Sequence, residues 1–148
     1  LEGTAPLSGK APEDAAREVE ALVARYIDCF NADDFEGAMT CYRLPFTWYF
    51  GPKSVTVSTP GEFLETMRKT KAALVKDGLS RSKLLGMTVR SLGRFAALAG
   101  VEVTRVLTDG SEMQRTAGTY FVHDDGTGWR LAINWTHSLD AIIPATGA

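Results

Sequence analysis

The sequence predicts an α+β fold in which three N-terminal helices pack on a strongly curved antiparallel sheet to form a cone. Three observations carry this. Apolar residues recur at helical spacing in three segments before residue 79, the period changes to two from about residue 84, and glycine-containing turns cut that second half into four strands. A bent sheet closed on one side by a long helix encloses a volume suited to a ligand.

Residues 1–11, LEGTAPLSGKA, are small, polar and Pro/Gly-containing, and are expected as a mobile tail. Pro12 suits a first helical turn, followed by Glu13 and Asp14 where the helix dipole favours anions. Val19, Leu22, Val23, Tyr26, Ile27 and Phe30 then form one apolar face, and Asn31 is a fitting end. Asp33 with Glu36 has capping-box spacing for a second helix, whose apolar face is Phe35, Ala38, Met39 and Tyr42 and which Pro45 would stop. "PFTWYF" and "KSVTVS" read as short strands around Gly51-Pro52. Thr59-Pro60-Gly61-Glu62 opens a third helix with Phe63, Leu64, Met67, Leu74 and Val75 inward, ended by Gly78. Strands are expected near 84–92, 94–107, 112–123 and 128–138, with hairpin chemistry at Gly93, Asp109-Gly110 and Asp124-Asp125-Gly126. Gly100, inside the second of them, suggests a bulge or bend. Nothing divides the chain further, so a single domain over 12–138 is expected, with 139–148 as a C-terminal tail.

Composition excludes several function classes. The chain has 148 residues and a net charge of −2, which disfavours nucleic-acid or anionic-membrane binding. No apolar run approaches the roughly 20 residues a bilayer span needs, and the first residues show no charged-then-apolar signal pattern. Cys29 and Cys41 are too few for a disulfide framework or a zinc site, so reduced packing thiols and a cytoplasmic location are expected. No P-loop, dinucleotide glycine pattern, HExxH or CxxC occurs, so neither a cofactor nor a metal is expected. "RKTKAALVKDGLSRSK", residues 68–83, has six basic residues and one acid; it reads as a solvated helix face rather than an anion patch.

"ALVARYIDCFNADDFEGAMTCY" followed by a strand, and the closing "AGTYFVHDDGTGWRLAINWTH", resemble the nuclear transport factor 2-like (NTF2-like) superfamily over about residues 13–138. Within it the chain is most similar to SnoaL-like and ketosteroid isomerase-like bacterial proteins, many of them uncharacterised. The resemblance implies a cystatin-like α+β cone and a homodimer. It implies no single activity, since members include isomerases, cyclases, dehydratases, epoxide hydrolases and binding modules. In ketosteroid isomerase-like members a tyrosine of the first helix donates to the developing oxyanion, and Tyr26 lies at the matching place. The family's base position falls at Phe50 or Gly51 and its second oxyanion donor at Thr119, none of which carries a carboxyl group. The Asp–Arg–Asp design of epoxide hydrolases likewise has no evident pocket carboxylates here. Neither mechanism is therefore expected.

What remains is a pocket. On the last strand Trp129, Leu131, Ile133, Trp135 and His137 alternate with Arg130, Ala132, Asn134 and Thr136, so the first set is expected inside. His137, an imidazole able to exchange a proton, is the candidate base beside Tyr26, as dehydratase-like members use histidines in this cone. Arg105 shares parity with Val101 and Val103 and would bring a cation to the mouth for a carboxylate or phenolate. Phe30, Phe46, Trp48, Phe50, Met67, Thr119 and Trp135 are the other expected lining residues. The expected partner is a hydrophobic, cyclic small molecule. The alternatives are a His137–Tyr26 isomerase or dehydratase and a non-catalytic homodimeric interaction module. By analogy with the family, a dimer would form through Glu102, Thr104, Asn134 and Thr136 on the outer sheet face.

Overall fold

The computed structural model describes residues 12–143. The expected tail over 1–11, and residues 144–148, lie outside that range. Helix α1 (Pro12–Asn31) and the short α2 (Phe35–Met39) lead to strands β1 (Tyr42–Phe50) and β2 (Lys53–Val57), then helix α3 (Pro60–Lys76). Strands β3 (Arg81–Ser91), β4 (Ala96–Val106), β5 (Glu112–Asp124) and β6 (Trp129–His137) follow. They form one sheet in the order β2-β1-β6-β5-β4-β3, with the helices on its concave side. The sheet is mixed rather than wholly antiparallel, because β1 runs parallel to β6. These two strands are joined by the rest of the chain rather than by a hairpin, so nothing forces them to run in opposite directions.

The helix ends show how local chemistry sets the frame. Thr59 and Glu62 form the expected capping box of α3, and Gly78 (φ +107°) closes it by a Schellman motif. In that motif the Leu79 N–H donates to the Leu74 carbonyl and the Gly78 N–H to that of Val75. The cap of α2 is Asp34, not Asp33: its carboxylate accepts from the Gly37 N–H at 2.9 Å. Asp33 instead takes a left-handed turn (φ +59°) that ends α1. Asn31 follows the end of the apolar face, and its amide exchanges two hydrogen bonds with the backbone of Ser82, fixing α1 to edge strand β3.

Four other expectations are corrected. Helix α2 stops at Met39, so Tyr42 starts β1, and Pro45 lies within that strand after a cis peptide bond. The β1–β6 register shifts between Tyr42 and Thr47, where proline has no N–H to donate. Gly100 is no bulge, since it pairs in register with Thr88 and Thr119. A Cβ there would sit 3.1 Å from Ile142, so the glycine admits the segment after β6 onto the outer face. That segment, Leu139–Ala141 and the two isoleucines after it, is expected as part of a tail but forms a 3₁₀ turn and packs on β4.

The fourth correction decides the pocket. In the β5–β6 pairing, Leu131 faces Val122 and Ile133 faces Phe121, so Ala132 is an extra residue. One inserted residue reverses every side chain beyond it. Trp129 and Leu131 point into the core as expected, whereas Ile133, Trp135 and His137 turn outward and Asn134 and Thr136 turn inward.

Candidate functional site

Between α1, α3 and the concave sheet face lies a cavity of about 490 Å³, inside the range of small-molecule sites. The apolar stripe of α1 supplies Val23, Tyr26, Ile27 and Phe30, and α3 supplies Met67 from above. Trp48 and Phe50 of β1 form one wall, Val101 and Val103 of β4 the other. Polar side chains interrupt these walls: Thr66 and Thr70 from α3, Ser82 from β3, Arg105, Gln114 and Thr116 on one flank, and Asn134 and Thr136 on the floor. Gly118 leaves room for Asn134, whose Nδ2 would lie 2.9 Å from a Cβ at that position.

An aromatic cluster underlies this space. Tyr42 packs edge-on against Tyr26 (5.1 Å between centroids) and Phe46 (4.6 Å), and Trp48 stacks on Phe63 at 6.3 Å. Tyr26 and Tyr120 line the cavity, while Tyr42 lies behind them. Burial pushes all three phenols above their ordinary pKa, Tyr42 and Tyr120 strongly. They are therefore neutral hydroxyls at physiological pH, able to donate a hydrogen bond and unable to act as bases. The Tyr42 hydroxyl is buried without a hydrogen bond at normal distance, close enough to the Tyr26 and Tyr120 hydroxyls for each to influence its ionisation.

Arg105 lies inside the cavity with the parity expected of it. One terminal nitrogen donates to Gln114 Oε1 at 2.9 Å, across the β4–β5 pair. Burial lowers its pKa. The acids nearby face the other way: Glu102 and Glu112 pair with Arg115 on the outer face, and Glu112 also accepts from Thr104 at 2.6 Å. Among the described residues, no side chain lining the cavity is acidic.

Of the expected lining residues, Tyr26, Phe30, Trp48, Phe50, Met67 and Arg105 meet at this cavity. Phe46 does not; it is 0% exposed and fills the space behind Trp48. Thr119, Trp135 and His137 are on the outer face. Trp135 is 45% exposed there, and His137 Nε2 is 2.7 Å from Thr119 Oγ1. His137 and Tyr26 are thus on opposite sides of the sheet. The bulge at Ala132 also removes Asn134 and Thr136 from the outer face on which a dimer was expected to use them. Tyr120, Gln114 and Thr116 line the cavity without having been singled out in the sequence, and Asn134 was expected on the opposite face. The small residues Ala97 and Ala99, opposite Val122 and Tyr120 in register, were a signal for the inward tyrosine.

Elsewhere, Cys29 and Cys41 are free thiols whose pKa burial raises, which suits inert packing. The basic stretch is largely solvated, but Lys71 is buried under α1. Among the described residues no group of three His, Cys, Asp or Glu side chains is placed to hold a metal ion, and no helix is long and apolar enough to cross a membrane.

A family model described as NTF2-like protein (DUF6841) matches residues 17–139. No curated protein matches the chain in sequence. Among solved structures, an NTF2-like protein with a cystatin-like fold from Novosphingobium aromaticivorans superposes with a TM-score of 0.68 at 20% identity, over 86% of this chain and 84% of that one. A protein from the same organism, provisionally assigned as an aromatic ring hydroxylase, gives 0.67 at 14% identity over 88% and 92%. One from Streptomyces avermitilis, provisionally assigned as a dehydratase of the NTF2-like family, gives 0.65 at 15% identity over 85% and 97%. At such identities the likeness is one of fold.

Proposed function

The chain belongs to the NTF2-like family DUF6841, and on that footing we propose that its cone binds a hydrophobic, ring-containing small molecule. One observation carries the reading: a cavity of about 490 Å³ remains between helices and sheet even though Phe46, Tyr42 and Phe63 already fill the core behind it. Largely apolar walls interrupted by polar side chains favour a flat hydrophobic body with one or two polar substituents. Tyr26 supplies a neutral donor at the centre of α1's inner face. Trp48, Phe50, Phe30 and Met67 supply the walls.

Catalysis by Tyr26 with His137 has no support in this geometry, because the two are separated by the sheet. The neighbours assigned as hydroxylase and dehydratase keep an enzymatic role in view, but a proton acceptor inside the cone would have to come from the ligand or from water. Binding without chemistry therefore accounts for more of the site. A cytoplasmic location, and a homodimer through the outer sheet face, complete the proposal. The exposed Tyr49, Ile133 and Trp135 of that face would supply the apolar contact.

The test uses a neutral ring compound, 2-naphthamide, in thermal unfolding and calorimetric titration. A ligand of the native state raises the melting temperature with concentration. Wild-type protein should show that rise, and Thr116→Trp, which fills the cavity from β5, should lose it while remaining folded. No binding of any naphthalene-sized compound, or equal binding by the filled variant, would remove the cone as the site.

A further inference from the structure

The geometry points to a ligand that carries an anionic group, a carboxylate or ionised phenol, seated on Arg105. The ligand class is then a cyclic hydrophobic acid rather than a neutral ring. This rests on the cone being the binding site and adds which polar group the ligand presents.

Arg105 is the penultimate residue of β4, with the inward parity of Val101 and Val103. A guanidinium carries five N–H donors. Here one terminal nitrogen is engaged by the uncharged Gln114 amide, and the Nε is buried with no hydrogen-bond partner among the described residues. The cation has no carboxylate partner among the described ion pairs, although acids lie on its own strand and on the next. Glu102 and Glu112 are both turned to the outer face and held there by Arg115. The half-buried Arg43, by contrast, has its carboxylate in Asp125 at 2.7 Å. The sheet thus sorts charge by face near the open end of the cone, with acids outside and one cation inside.

A partly desolvated cation with unused donors lowers the free energy of a bound anion far more than that of a neutral ring, because water competes poorly there. The planar fork suits a carboxylate bidentately. Tyr26 and Tyr120, neutral and cavity-lining, can add a hydrogen bond to the same end of the ligand without repelling its charge.

The experiment compares two isosteres, 2-naphthoate and 2-naphthamide, by calorimetry on the full chain and on Arg105→Met and Arg105→Lys. Wild type should bind the acid at least about 10-fold more tightly than the amide, as expected of a hydrogen bond to a charged group. Arg105→Met should lose that preference, with a far-UV spectrum and cooperative thermal unfolding like those of the wild type showing that the variant is folded. Arg105→Lys should keep part of the preference. Equal affinities in the wild type, or a preference that survives Arg105→Met, overturn the anionic-ligand inference and leave the cone as a site for neutral rings. Failure of the wild type to bind either compound overturns both.

Discussion

Lys71 Nζ donates to the carbonyl of Phe30 at 2.7 Å and stands 4.9 Å from the centroid of the same residue's ring. One side chain of α3 therefore satisfies the end of α1 and fixes a wall of the cavity. The carbonyls of a last helical turn lack partners within the helix, and Lys71, only 8% exposed, supplies one from above. Phe30 O also accepts from the Asp33 N–H at 3.3 Å, so Lys71→Met removes a hydrogen bond from a charged donor without stranding the acceptor and should lower stability by about 1.5–3 kcal/mol. In urea unfolding, Asp33→Asn is the control. Its carboxylate also meets Lys71 at 2.7 Å but is largely exposed, and its loss should cost less than about 1 kcal/mol. Equal effects of the two would make the ion pair, not the carbonyl, the important contact.

Phe46 and Trp48 lie two residues apart on one face of β1 and should separate stability from binding. Phe46 is fully buried among Tyr42, Trp48 and Tyr120. Phe46→Leu, which keeps most of the volume, should lower stability measurably, and Phe46→Ala should cost about 3–5 kcal/mol. Trp48→Leu removes cavity wall and should weaken 2-naphthoate binding more than it weakens the fold. Binding lost through Phe46→Leu with stability intact would place Phe46 at the ligand.

His137 is bound to Thr119 on the convex side and to the Ser138 carbonyl through Nδ1. His137→Ala should cost about 0.5–1.5 kcal/mol, the worth of such a bond. It should leave the affinity for 2-naphthoate within about twofold, well under the tenfold that 1.4 kcal/mol would produce. A tenfold loss of affinity would show that the histidine reaches the ligand after all.

The reason His137 looked internal is instructive. Period-two alternation from Trp129 to His137 is unbroken in the sequence, and it holds for Trp129 and Leu131. The inserted Ala132 is a small residue without turn chemistry, so it gives no local sign of a bulge; only pairing with β5 creates it. Elements with strong local codes were legible throughout: α1 from its stripe, α3 from Thr59, Glu62 and Gly78, the hairpins from their glycines. The inward sides of Arg105 and Trp48 followed from alternation with no inserted residue between them and their inward neighbours, and that of Tyr26 from the stripe of α1. The parallel β1–β6 contact and the role of Lys71 are long-range facts that no window of sequence holds.

Asp125 accepts from Thr127 and from Arg43, and these contacts hold its carboxyl well below the usual carboxylate range. A folded-state pKa below the unfolded value of about 4 adds stability that is complete above that value and is lost as the pH falls toward the folded one. Glu112, lowered by Thr104 and then Arg115, acts in the same direction. Unfolding midpoints measured in urea from about pH 6 down to about pH 2 should fall, and Asp125→Asn should fall less steeply over that window. The amide keeps an acceptor for Thr127 but has no charge to titrate. An unchanged slope in Asp125→Asn would assign the acid sensitivity to other groups.

The alkaline limb has the opposite sign. Tyr26, Tyr42 and Tyr120 have folded pKa values raised above the unfolded value of about 10. The folded state therefore holds protons that the unfolded chain releases, and stability present below about pH 10 is lost as the pH rises beyond it. Tyrosinate absorbance should consequently appear for these three only as the tertiary structure is lost. Tyr42→Phe tests this most cleanly. Its hydroxyl is buried without a direct hydrogen bond, so removing it at neutral pH should change stability by no more than about 1 kcal/mol. Above pH 10 the variant should lose stability less steeply, since one fewer phenol drives unfolding. A loss well above about 2 kcal/mol at neutral pH would mean that this hydroxyl has a partner worth a charged-group bond, and the phenol cluster would then be a connected network that the ligand completes.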